Sequence, residues 1–299
     1  MRGTLWLSCL ALFLAPAISS CAPAAALFSA PTFSFVAEGS GLEQLEPPGV
    51  GSGEAVFVMN LIATNPNPVG LRLAGLDFDL AINERRVASS SFRGEVELPA
   101  GGSSSMTLEV RVPLRAGAPL LGDLVRLIEG AATRYELSGT VTADAYGSRQ
   151  RLPRAVLASG EVRQPLTLAL PEIRIDSAAS GVRDLSVNRA VLEVGLELVN
   201  RGPLGYLVEV PDVALVVAGT RVAAGGVVSE PVPPFARSRT SLVFEVDLLA
   251  VAPLVASQFA ALAAGGSLEV AVTGRPRLEV PGITTREFPR DHLAQGLLR

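Results

Sequence analysis

The sequence predicts an all-β chain, with two tandem antiparallel β-sandwiches and one short helix in each. Three observations carry this. The two halves repeat at an offset of 135 residues, apolar residues alternate with period two along both, and one helical pattern interrupts each half at the same place. Asn65 falls on Asn200, Pro68 on Pro203, Leu80 on Leu215 and Ile82 on Val217. Arg86-Val87-Ala88 falls on Arg221-Val222-Ala223, and Pro99 on Pro234, with no gap. Pro31 fits Pro171 if the first copy holds five extra residues, placed in the Pro/Gly-rich stretch Glu46 to Gly53. The period is far longer than a solenoid repeat, so each copy is a domain. The expected boundaries are 31–162 and 163–290, with a C-terminal tail over 291–299.

The strands follow from alternation. Leu76, Phe78, Leu80 and Ile82 alternate with Asp77, Asp79 and Ala81, and Leu108, Val110 and Val112 with Glu109 and Arg111. Leu192 to Leu198 and Leu268 to Val272 read the same way. One face of such a strand is buried and the other is wet. Gly/Pro clusters at Asn65-Pro-Asn-Pro, Pro99-Ala-Gly-Gly, Asn200-Arg-Gly-Pro and Ala264-Gly-Gly separate the strands, the pattern of a sandwich. The helices are read from Leu120, Leu121, Leu124, Val125 and Ile128, and from Leu254, Val255, Phe259 and Leu262.

Composition narrows function. Of 299 residues, 48% are hydrophobic and 18% charged, which supplies large cores despite 29 Gly and 22 Pro. The formal net charge of −4 offers no basic surface for nucleic acid. All 25 basic residues are Arg, so Schiff-base chemistry and a P-loop lysine are excluded. The single histidine, His292, excludes metal sites that need two and leaves a Ser-His-Asp triad dependent on a tail residue. No cofactor, metal site or catalytic residue is expected.

The N-terminus reads as an address. Arg2 precedes an apolar run from Leu5 to Ile18, too short to span a bilayer comfortably, and small residues follow it. Residues 1–20 are therefore expected to be a signal peptide. Ile18-Ser19-Ser20-Cys21 resembles the bacterial lipobox, which implies cleavage before Cys21 and attachment of lipid to its thiol. The alternative is an ordinary cut near Ala17 or Ala24. The only other cysteine, Cys9, lies inside the leader, so an incidental Cys21 would leave a lone free thiol. Residues 21–30 are then a tether. Loss of Arg2 makes the remaining chain more negative, so the lipid and not charge would hold the membrane.

A strand running into Asn-Pro-Asn, an alternating strand, a turn and then Arg-Val-Ala carries a family resemblance. Val56 to Asn65-Pro66-Asn67-Pro68, Leu76 to Asn83, and Val87-Ala88 resemble the folded group-2 late-embryogenesis-abundant proteins, the water-stress-and-hypersensitive-response (WHy) domain. The second copy keeps Asn200 and Pro203 but reads Asn-Arg-Gly-Pro. The resemblance implies a seven-stranded sandwich shaped like a fibronectin type III module, a role in desiccation or stress tolerance, and no catalytic residues. Read from the residues alone, Asn65, Pro66, Asn67, Pro68, Asn200 and Pro203 are structural turn positions. Proline fixes φ and removes donors, while asparagine bonds its own backbone.

Other chemistry reads bland. Asp77/Asp79 and Glu95/Glu97 are expected on solvated strand faces, Gly39-Ser-Gly41 and Gly51-Ser-Gly53 in loops, and His292 in a solvated tail. Three functional classes follow. The first is a non-enzymatic, lipid-anchored envelope protein that protects during water loss, facing the periplasm or exterior. The second is a carrier for lipid or another apolar ligand, gated by the short helices. The third is an assembly or adhesion module contacting envelope proteins.

Overall fold

The computed structural model describes residues 29–114, 120–145, 147–164, 166–226, 228–289 and 292–298. The expected leader, Cys21 and most of the expected tether lie outside them. In the first copy the strands are β1 (Thr32–Glu46), β2 (Glu54–Thr64), β3 (Leu71–Ile82), β4 (Arg85–Phe92), β5 (Val96–Leu98) and β6 (Ser103–Pro113). Helix α1 (Leu120–Ile128) then precedes β7 (Thr133–Ala145), β8 (Ser148–Arg151) and β9 (Ala155–Val162). One sheet has the order β1-β2-β6; the other runs β4-β3-β7-β8, with β5 on β3 and β9 on β7.

The second copy repeats this order. Its strands are β10 (Glu172–Leu185), β11 (Arg189–Val199), β12 (Tyr206–Val210), β13 (Ala214–Val217), β14 (Thr220–Ala224), β15 (Val228–Val232) and β16 (Arg237–Asp247). Helix α2 (Pro253–Ala263) leads to β17 (Leu268–Thr273), β18 (Arg277–Val280), β19 (Thr284–Glu287) and β20 (His292–Leu298). The sheet β10-β11-β16 matches β1-β2-β6. The facing layer is split into β15-β12-β18-β19 and β14-β13-β17-β20. The split has a local cause. Leu76 and Val141 are paired across β3 and β7. Their counterparts at the repeat offset are Pro211 and Pro276, which bring no N–H to a ladder.

Alternation turns into burial as the period requires. Leu42, Phe57, Met59, Leu80 and Leu137 fill the first interior, and Leu192, Val208, Phe244 and Val272 the second, each at most 1% exposed. Burying such a side chain contributes about 1.5–3 kcal/mol. The edges also repeat. Ser40 Oγ accepts from Asn60 N and donates to Val36 O, closing a bulge in β1; Ser180 does the same with Gly195 N and Asp176 O in β10. Gly39-Ser-Gly41 is thus a bulge within a strand and not the loop expected. The five extra residues fall before β2, since Leu45 pairs with Ala55 where Leu185 pairs with Ala190.

One expectation is corrected at the C-terminus. Residues 292–298 are not a solvated tail, because β20 pairs along β17 and buries Leu293, Ala294 and Leu298. His292 begins that strand, opposite Thr273.

The copies meet end to end. Leu45 N donates to Pro203 O at 2.8 Å, and Gly205 N donates to Leu45 O at 2.8 Å. The Gln164 side chain clamps the neighbouring backbone: its Oε1 accepts from Leu42 N and its Nε2 donates to Leu42 O, both at 2.9 Å. Leu45 and Leu204 are both buried at this junction.

Candidate functional site

The best-built polar feature is the corner between β2 and β3. Asn65 is fully buried. Its Nδ2 donates to Val69 O at 2.7 Å, Pro99 O at 3.0 Å and Leu98 O at 3.3 Å. Its Oδ1 accepts from both the backbone N and the Nδ2 of Asn67, each at 2.9 Å. One amide thus ties two loops together and satisfies carbonyls that burial would otherwise orphan. Pro66 and Pro68 are exposed on the outer rim. Asn67 reaches outward: its Oδ1 accepts from Ser29 N and its Nδ2 donates to Ser29 O, both at 2.8 Å. The chain preceding β1 is thereby pinned at this corner.

The second copy keeps half of this. Asn200 Nδ2 donates to Leu204 O at 2.7 Å and Pro233 O at 3.0 Å, and its Oδ1 accepts from Gly202 N at 2.9 Å. Gly202 stands where Asn67 stands in the first copy, so the outward reach is absent. Pro203 lies in the junction with the first copy, through its carbonyl.

Of the two acids on β3, Asp77 keeps the solvated face expected and Asp79 does not. Asp79 is only 7% exposed and lies beneath two arginines. Arg86 approaches its Oδ1 at 2.8 Å, Arg154 donates to its Oδ2, and Ser89 Oγ donates to its Oδ1 at 2.7 Å. The Ser89 hydrogen bond, followed by the Arg154 and Arg86 charges, holds its carboxyl below the usual range. Asp77 likewise lies between Arg93 and Arg151, and Asp144 between Arg149 and Arg72. Glu95 meets Arg72 at 3.2 Å. Carboxylates and arginines paired this way form an ion-pair lattice, with the Ser89 hydroxyl held against Asp79. Burial pushes the Tyr135 and Tyr206 hydroxyls up, and neither makes a hydrogen bond within the described protein.

Two grooves of about 640 and 460 Å³ lie at the second copy. The larger is lined by Pro211, Arg277, Glu287 and Phe288, and the smaller by Thr167, Glu172, Arg201 and Tyr206. Among the described residues no cluster of three or more His, Cys, Asp or Glu could hold a metal. No described helix is long and apolar enough to cross a membrane.

The junction, the Ser29 clamp and the doubled arginines went unread in the sequence. Most use backbone atoms or partners tens of residues away.

Fold and corner together define a class: a tandem all-β sandwich protein whose most elaborate polar architecture closes turns. Comparison makes the class more particular. Residues 60–153, from β2 to β8, match the family model described as late embryogenesis abundant protein, so this part of the chain is similar to that family. No curated protein matches. Among solved structures, a protein from Archaeoglobus fulgidus is similar at 12% identity and TM-score 0.26, over 46% of this chain and 98% of that one. An adhesin from Mobiluncus mulieris aligns at 7% identity and TM-score 0.26, over 82% and 81%. Red sea bream transglutaminase aligns at 14% identity and TM-score 0.22; the chain covers 30% of its length. At these scores none bears on function.

Proposed function

We propose that this chain is a non-enzymatic, lipid-anchored envelope protein that protects during water stress, built from two WHy-like domains over 31–162 and 163–290, the second extended by β20. The observation that carries the reading is the family match over 60–153, which contains the whole Asn65 corner. The return of that corner at Asn200 supports extending it to the second copy. A folded sandwich cannot act as a disordered hydrating polymer, so protection would work through its surfaces.

Cys21 is the proposed lipid site. Each buried acyl CH₂ contributes about 0.8 kcal/mol, so several chains hold the protein stably on a membrane facing the periplasm or exterior. The eight residue-to-residue steps from Cys21 to Ser29 reach at most about 29 Å when extended, which keeps the Asn67 corner near that surface.

The test is survival after drying and rewetting in a strain lacking the gene, complemented with wild type or Cys21→Ser. Rescue by wild type alone supports anchored protection. Equal rescue by Cys21→Ser removes the anchor from the mechanism. Undiminished survival of the deletion strain rejects the stress role.

A further inference from the structure

The internal junction has two halves, and each half has a counterpart at the far ends of the chain. One half is the corner Pro203-Leu204-Gly205, whose counterpart at the repeat offset is Pro68-Val69-Gly70. The other half is Leu45 at the end of β1. Its counterpart is Leu185 at the end of β10, since Leu45 pairs with Ala55 and Leu185 with Ala190 in the same register.

Exposure separates the used pair from the other. Leu45 is 0% and Leu204 1% exposed, and Gly205 is buried. Leu185 and Val69 are half-buried, and Gly70 is exposed. Around Leu185 the end of the second copy is apolar and open. Val187 is 92%, Leu249 76% and Leu254 65% exposed. Leu248 N donates to Asn188 O at 2.9 Å, which holds Val187 and Leu249 on one end. The counterpart of Leu249 is Leu114, only 4% exposed, bonded through its N–H to Gly53 O beneath the extra residues of the first copy. The same class of surface is therefore covered in one copy and bare in the other.

We propose that a second copy of this chain covers it: molecules associate head to tail, the Pro68-Val69-Gly70 corner of one seating at Leu185, Val187 and Leu249 of the next. The internal junction supplies the template, with Gly205 N donating to Leu45 O and Leu45 N to Pro203 O, each at 2.8 Å. Asp184, Glu245 and Asp247 surround the open end with Arg189 as the near cation, which disfavours an anionic bilayer as occupant. Such an interface is heterologous and extends into an open series. Within one chain the linker supplies a high effective concentration that separate molecules lack, so association is weaker than the internal junction.

The experiment uses the full chain carrying Cys9→Ser and Cys21→Ser, which removes both native thiols. Gly70→Cys and Val187→Cys are added singly in two preparations; both sites are exposed, so neither change disturbs the core. A short bis-maleimide is applied to each preparation alone and to their equal mixture. The expected result is covalent dimer in the mixture, at least several-fold above either single preparation, and its loss when Leu249→Asp is added to the Val187→Cys chain. Dimer from Val187→Cys alone, at the level of the mixture, means tip meets tip and overturns the proposal. Monomer throughout overturns it as well. So does binding of the Val187 end to neutral phosphatidylcholine vesicles, lost in Leu249→Asp, in place of dimer. None of these readings depends on lipidation or on survival after drying.

Discussion

Asn65 concentrates more bonding than any neighbouring side chain, and its removal should show this. Asn65→Ala leaves the carbonyls of Val69, Leu98 and Pro99 without their shared donor in a buried place. It should cost about 3 kcal/mol in urea unfolding. Asn67→Gly, which copies the second domain, should cost only about 1 kcal/mol, and hydrogen exchange at the Ser29 amide should rise while β2 stays protected. Asp79 predicts a pH effect. Its carboxyl is held low in the fold, so its stabilisation is complete above the ordinary carboxylate value near 4 and is lost as pH falls through the lower folded value. Acid titration of stability should therefore be steeper for wild type than for Asp79→Asn below about pH 4; equal slopes would refute this role. The asparagine corners were legible because Asn and Pro recur at one offset. The burial of Asp79 was not, because alternation assigns a face but cannot say that two arginines will cover it.

Strands were legible wherever apolar residues alternate, and the helices wherever the spacing lengthens to three and four. Their interruptions were not. Pro211 and Pro276 stand in plain view, yet only pairing shows that they replace both members of one cross-strand pair and so divide a sheet. The packing of β9 on β1 offers a sharper test. A β-carbon at Gly160 would overlap the Phe35 ring, 2.0 Å from its nearest atom, whereas at the equivalent Gly296 it would lie 3.0 Å from Ile175 Cβ. Gly160→Ala should cost about 2 kcal/mol and Gly296→Ala about 1 kcal/mol or less, measured as shifts in the unfolding midpoint. Equal costs would mean that Phe35 swings aside freely.

For the whole molecule, the sequence revealed duplication but not how the copies touch, because the contact runs through backbone atoms of Leu45, Pro203 and Gly205 and one glutamine. That contact should make unfolding cooperative. Calorimetry of wild type should show one transition, and Gln164→Ala, which loses both bonds to Leu42, should broaden or divide it. Two transitions in wild type would show that the junction transmits nothing. The Ser29 clamp has a mechanical consequence. A pull applied through the N-terminal segment reaches Asn67 first, through two hydrogen bonds on one residue. Beyond them it loads β1 along its length against β2, so the ladder resists in shear instead of opening one rung at a time. A chain held from that side would bear tension as a fixed strut does, with the asparagine as its shackle.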